Sequence, residues 1–154
     1  MKELKQMAII LPNKTIKDYN ENKLLTDNII NEIEEVHNLE VKKIYKNVLV
    51  KLGDSRPIEF DVLIIATTPF GQIRFISVEL KEMDISKVIE QSIVRRDFVD
   101  YSYIVVDTSI KFLIQFLLYV WSDYVKEYKI GFFVDDTLIL QSKFIRRKIN
   151  IKYE

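Results

Sequence analysis

Three side chains on two neighbouring apolar segments carry the most pointed chemistry in this sequence. They are Asp61 in "IEFDVLIIAT", and Glu79 and Lys81 in "FISVELK". Side chains alternate across a strand, so Glu79 and Lys81 share one face while Ile76, Val78 and Leu80 fill the other. A carboxylate withdrawn from water is costly unless it is paired or binds a cation, and here each of two strands brings one. Mg²⁺ prefers one or two carboxylates plus waters, which leaves room for substrate phosphate oxygens. A metal so held acidifies a bound water and neutralises charge developing on a phosphodiester. A lysine beside it can orient or deprotonate that water. Asp61 and Glu79 are then the expected metal ligands and Lys81 the catalytic partner of the water, with the Leu80 carbonyl as a further ligand. An exposed strand face with cross-strand ion pairs is the competing reading of the same residues.

The spacing alone does not choose between them. Glu-x-Lys recurs at Glu3/Lys5, Glu21/Lys23, Glu40/Lys42, Glu79/Lys81 and Glu127/Lys129. What sets Glu79/Lys81 apart is its place at the end of an apolar strand, with a second acid-bearing apolar strand one hairpin earlier.

The elements that must position these groups follow from hydrophobic periodicity. Leu25, Ile29, Ile33 and Val36 form one stripe and predict a helix over 22–38. Strands are expected at 41–52, 58–67 and 73–81, joined by the turns "GDSRP" and "TPFGQ" into an antiparallel meander. Asp84 is the expected N-cap of a helix running to about Val99. The continuous apolar run "YSYIVVD" (101–107) suits a strand buried on both faces behind a crossover helix. A long helix from Ile110 to about Lys126 follows, then a hairpin around Asp135 and Asp136. The fold class is α/β: a mixed sheet flanked by helices, in a single domain spanning 1–154.

With these residues and this order in place, "EFDVLII" and "FISVELKEMDISKVIEQ" resemble the core of the PD-(D/E)xK nuclease superfamily. The look is that of small archaeal Holliday-junction resolvases and restriction-endonuclease-like proteins. The resemblance covers roughly 24–107, with 108–154 as a helix-plus-hairpin extension. It implies a Mg²⁺-dependent endodeoxyribonuclease, with Mn²⁺ as a substitute, acting on branched or duplex DNA. It also implies Asp61 and Glu79 as metal ligands and Lys81 as the catalytic lysine. Many members add a Glu from the first helix, which points to Glu32, and a polar residue from the next helix, which points to Gln91 as a catalytic-site residue. "FD" stands where the family has "PD", Pro57 lying four residues before Asp61. Arg95 stands where RecB-like members carry Tyr, which disfavours a RecB-type exonuclease. A catalytically inactive nucleic-acid-binding or assembly subunit on the same fold is the alternative.

Composition bounds the partners. Lys+Arg and Asp+Glu both number 23, so any nucleic-acid contact rests on local basic patches. Arg95 is one expected phosphate contact, and the tail "KFIRRKINIKYE" offers Lys143, Arg146, Arg147 and Lys148; a solvated, charge-protected edge strand explains the tail equally well. The absence of Cys excludes disulfides, thiolate metal sites and cysteine nucleophiles, and the lone His37 excludes multi-His metal sites. His37, closing the first helix, reads as a C-terminal helix cation. Phe112, Phe116 and Tyr119 oppose the core stripe of the long helix, which favours a homodimer interface there. No segment reaches the ~18 apolar residues of a membrane span, and a cytoplasmic, soluble protein is expected.

Overall fold

In the computed structural model of the chain, the described residues are 7–11, 25–81, 91–106, 119 and 122–153. They build one eight-stranded mixed sheet with helices against it. The strands in chain order are β1 (Met7–Leu11), β2 (Glu40–Leu52), β3 (Ile58–Thr67), β4 (Ile73–Lys81), β5 (Tyr101–Val106), β6 (Gly131–Val134), β7 (Thr137–Leu140) and β8 (Asn150–Lys152). Their spatial order is β7-β6-β5-β4-β3-β2-β1-β8.

The expected meander is present: β2, β3 and β4 pair antiparallel. The expected parallel step follows, with β5 beside β4 and β6 beside β5. β6 and β7 form the hairpin around Asp135 and Asp136. β1 and β8, which pair with each other in parallel and through β1 with β2, complete the far edge. β1 is a strand that periodicity does not indicate, and β8 is a short piece of the edge strand that the alternating tail suggests.

Helix α1 (Asp27–His37) is bounded by its own sequence. Thr26 Oγ1 accepts from the Ile29 N–H at its start. Asn38, left-handed at φ 52°, ends it, and the Leu39 N–H closes back on the Glu34 carbonyl at 2.9 Å. α1 buries Ile29 and Ile33 against Val62, Ile64, Ile76, Val78, Leu80 and Tyr103. The opposite sheet face, bearing Leu63, Ile65 and Phe75, packs on Phe98, Val99 and Ile149. Near β5 and β6, α2 (Ser122–Tyr128) adds Val125 over Ile104, Val106 and Phe132. The sheet therefore has an α1 face and a far face.

Residues 91–95 are helical and run into a 3-10 turn, Arg96–Phe98, matching the end expected for the second helix. Its expected N-cap Asp84 lies outside the described residues, as do Phe112 and Phe116 of the expected dimer surface. Among the described residues no helix is long and apolar enough to cross a membrane.

The chain after β7 crosses the far face to reach β8, and buried polar groups fix it there. Asp100 Oδ1 accepts from the Arg147 N–H at 3.1 Å, and Oδ2 from the Phe75 N–H and Arg147 Nη1, both at 2.8 Å. Ser142 Oγ accepts from the Ser102 N–H and donates to the Lys129 carbonyl. Arg96 donates to the carbonyls of Tyr128, Val99 and Lys143, tying α2 to the crossing segment. Its guanidinium pKa is lowered to about 10 by desolvation, opposed by the charge of Asp100.

Candidate active site

The β3–β4 ladder runs from Thr67↔Ile73 to Val62↔Val78. One further rung would set Asp61 directly across from Glu79. Instead the Asp61 side chain takes over the hydrogen bonding: Oδ2 accepts from the Leu80 N–H at 3.0 Å. That amide lies beyond the last rung, and a buried N–H left without an acceptor is costly. The strand rolls at this point. Val62 packs with the α1 face, yet Phe60, two residues away, packs with the far face. β2 rolls with it, through Asn47 at φ 54° between the rungs Lys46↔Val62 and Val48↔Phe60. Asp61 thus sits at a bend shared by two strands, half-buried.

Glu79 is 1% exposed and lies on the far face, opposite its neighbours Val78 and Leu80. Its Oε1 meets Arg95 Nε at 3.2 Å, with both side chains almost wholly buried. Arg95 also donates from Nε to the Glu59 carbonyl at 2.6 Å and from Nη1 to the Gln91 carbonyl at 2.8 Å. Its guanidinium lies over the Phe60 ring at 5.7 Å. The helical residues 91–95 therefore carry Arg95 to Glu79. Expected among the phosphate contacts, Arg95 is turned inward, because the buried carboxylate requires a counter-charge. Gln91 is half-buried and its backbone carbonyl serves Arg95.

Lys81 closes β4, paired with Val106 of β5. Glu32 does not join Asp61 and Glu79. It is half-buried on α1, on the face opposite Glu79, where its charge helps raise the pKa of Tyr103. Among the described residues no group of three or more His, Asp or Glu side chains comes together as a metal cluster. The strand register sets Asp61 and Glu79 at opposed positions, with the Glu79 carboxylate met by Arg95.

The tail divides. Arg147 is drawn into the protein by Asp100, also donates to the Ile73 carbonyl and Asn150 Oδ1, and lies over the Phe75 ring at 4.8 Å. Lys143, Arg146 and Lys148 are exposed, Lys148 standing 3.6 Å from Asp97. Tyr119 is 88% exposed.

Sequence reasoning did not reach two arrangements. His37 is a partner of Tyr103 rather than a helix-end cation: its Nε2 lies 2.5 Å from the Tyr103 hydroxyl, and its ring lies against Tyr101, centroids 3.9 Å apart and planes tilted by 33°. Burial lowers its pKa to about 4, so the imidazole is neutral at pH 7. Burial likewise pushes the Tyr103 phenol up, countered by a backbone hydrogen bond involving Ser142. The second is a cavity of about 620 Å³ whose lining includes Arg74, Asp100, Phe144, Arg146, Arg147 and Asn150. A cluster of Arg and aromatic letters in "KFIRRKIN" was the available signal; Arg74, far away in sequence, gave none.

No family model, no curated protein and no solved structure matches this chain.

Proposed function

We propose that the protein is a Mg²⁺-dependent endodeoxyribonuclease of the restriction-endonuclease-like kind, with Asp61, Glu79 and Lys81 as its working groups. The observation that carries the reading is the interrupted β3–β4 ladder. It leaves Asp61 and Glu79 at register-opposed positions on strands that no longer pair there. Asp61 and Glu79 would hold the ion, whose chemistry is to acidify water and neutralise phosphate charge. Asp61 keeps Oδ2 on the Leu80 amide, a bond that fixes the carboxylate's orientation and leaves Oδ1 for the cation. Lys81, two residues on from Glu79, would orient the attacking water and stabilise the anionic transition state. Lys143, Arg146 and Lys148 would contact the DNA backbone. A second copy docking against the surface of Phe112, Phe116 and Tyr119 belongs to the same reading, tested by light scattering on the wild type and Tyr119→Glu.

The Glu79–Arg95 ion pair favours a second reading. A carboxylate whose charge is met by a guanidinium needs no metal, and a silent nucleic-acid-binding or assembly subunit would keep such a pair. A panel of branched, single-stranded and duplex DNA with Mg²⁺ or Mn²⁺ separates the two. The nuclease cuts at least one substrate and Asp61→Ala does not. Intact DNA throughout selects the silent subunit.

A further inference from the structure

A second site, at the opposite end of β4, has the makings of a nucleotide pocket. Arg74 and Glu79 are five residues apart on one strand, roughly 16 Å at about 3.3 Å per residue. The cavity of about 620 Å³ there is formed by the β3–β4 turn, the start of β4, Asp100 and the crossing segment before β8. That volume lies within the range of small-molecule sites, about 300–1,000 Å³.

Its charge is uneven. Asp100 is the one acid among the described lining residues, and both its oxygens are engaged by Arg147 and by the Phe75 amide. Arg147 and Asp100 thus cancel within the wall. Arg74 and Arg146 remain: among the described residues Arg74 donates only to the neutral Gln72 Oε1 and the Ile73 carbonyl, and Arg146 makes no ion pair. Two guanidinium groups lining a concave space, with no ion pair to an acid among the described residues, favour a phosphate, which Arg recognises through paired N–H donors.

The aromatic groups narrow the ligand. Phe144, a lining residue like Arg74, lies against its guanidinium, 4.8 Å from the ring centroid. Phe70 is 93% exposed at the tip of the β3–β4 turn, adjacent in sequence to the lining residues Gly71 and Gln72. The turn is firmly built: the Gly71 N–H donates to the Thr68 carbonyl, Gln72 N–H to Thr68 Oγ1, and Gly71 takes φ 81°. A nearly bare phenyl ring on a rigid tip, beside an arginine-lined cavity, is a stacking platform next to an anion hole.

We propose that this cavity binds a nucleotide unit, its phosphate on Arg74 and Arg146 and its base stacked on Phe70. The chemistry is shared by a free mononucleotide and by a nucleotide of a single strand. The site shares Arg146 with the DNA-backbone contacts of the nuclease reading but does not depend on Asp61 and Glu79, and its test excludes metal chemistry. Full-length protein in EDTA is titrated into fluorescein-labelled oligo-dT, followed by anisotropy, for the wild type, Phe70→Ala and Arg146→Ala. The wild type binds single-stranded DNA more tightly than duplex of equal length. Phe70→Ala weakens binding about tenfold, and Arg146→Ala flattens the salt dependence by about 0.7 in log–log slope. Because EDTA leaves no divalent ion for cleavage, a failure of the nuclease reading leaves this result standing. Competition by thymidine monophosphate at micromolar concentration marks a free nucleotide as the occupant, and its failure to compete marks the strand; either supports the pocket. No binding, duplex binding as tight as single-strand binding, or unchanged affinity in both Phe70→Ala and Arg146→Ala overturns it. Displacement by inorganic phosphate as effective as by the mononucleotide overturns the base-stacking half of the proposal and so the ligand class.

Discussion

Glu79 and Arg95 meet at 3.2 Å in the interior, one from β4 and the other from the helical residues 91–95. Neither charge could be buried alone. The pair fixes that helical segment to the far face of the sheet and determines how much of the Glu79 carboxylate is offered to any other cation.

Removing one partner should cost far more than removing both. Arg95→Ala leaves a buried carboxylate without its counter-charge, a loss of about 3–5 kcal/mol in unfolding free energy. The double change Arg95→Met with Glu79→Gln should recover most of that in urea denaturation. An equal loss in the single and double variants would show that packing, not charge, holds the segment.

Asp100 anchors the crossing segment through three accepted hydrogen bonds, two of them from Arg147. Asp100→Ala strands a guanidinium and two amides, so a loss of about 3 kcal/mol or more is expected. Hydrogen exchange gives the local signature: the Phe75 and Arg147 amides lose protection before those of β3 do.

His37 makes stability depend on pH. Its folded pKa, about 4, lies below the ordinary value of 6.5, so between these values the unfolded chain binds the proton more readily. The contribution is complete above pH 6.5 and is lost as pH falls toward 4. Urea midpoints for wild type and His37→Gln should therefore converge on acidification across that window. A constant gap between the two from pH 7 to pH 4 would contradict a neutral, buried imidazole.

Gly131 marks a close approach. A Cβ there would overlap the Tyr103 ring and the Ser142 backbone nitrogen. Gly131→Ala should destabilise by about 1–3 kcal/mol, with Tyr103 displaced; near-UV circular dichroism and urea denaturation read both effects.

Much of the sheet is legible in the sequence because its strands carry their own patterns. The alternation and turns around 58–81 predict β3 and β4, and the apolar run at 101 predicts β5. β1 is not legible, since it owes its strand state to partners far away in the chain. The alternating tail suggests one long edge strand, yet only Asn150–Lys152 pairs, because Asp100 pulls Arg147 inward before it. Asp61 and Glu79 could be put opposite each other by counting along two strands. That Arg95 would answer Glu79 could not, since it depends on how residues 91–95 pack across the sheet.

The claim that Asp61 and Glu79 share one divalent ion is tested most directly by Mn²⁺ titration, followed by electron paramagnetic resonance. The wild type should bind one Mn²⁺ that Mg²⁺ displaces. Asp61→Asn should abolish binding, and Arg95→Gln should strengthen it by removing the guanidinium that competes for Glu79. A wild type that binds no Mn²⁺ at millimolar concentration, or an Asp61→Asn variant that binds it as well as the wild type, would contradict the metal site and the nuclease reading with it.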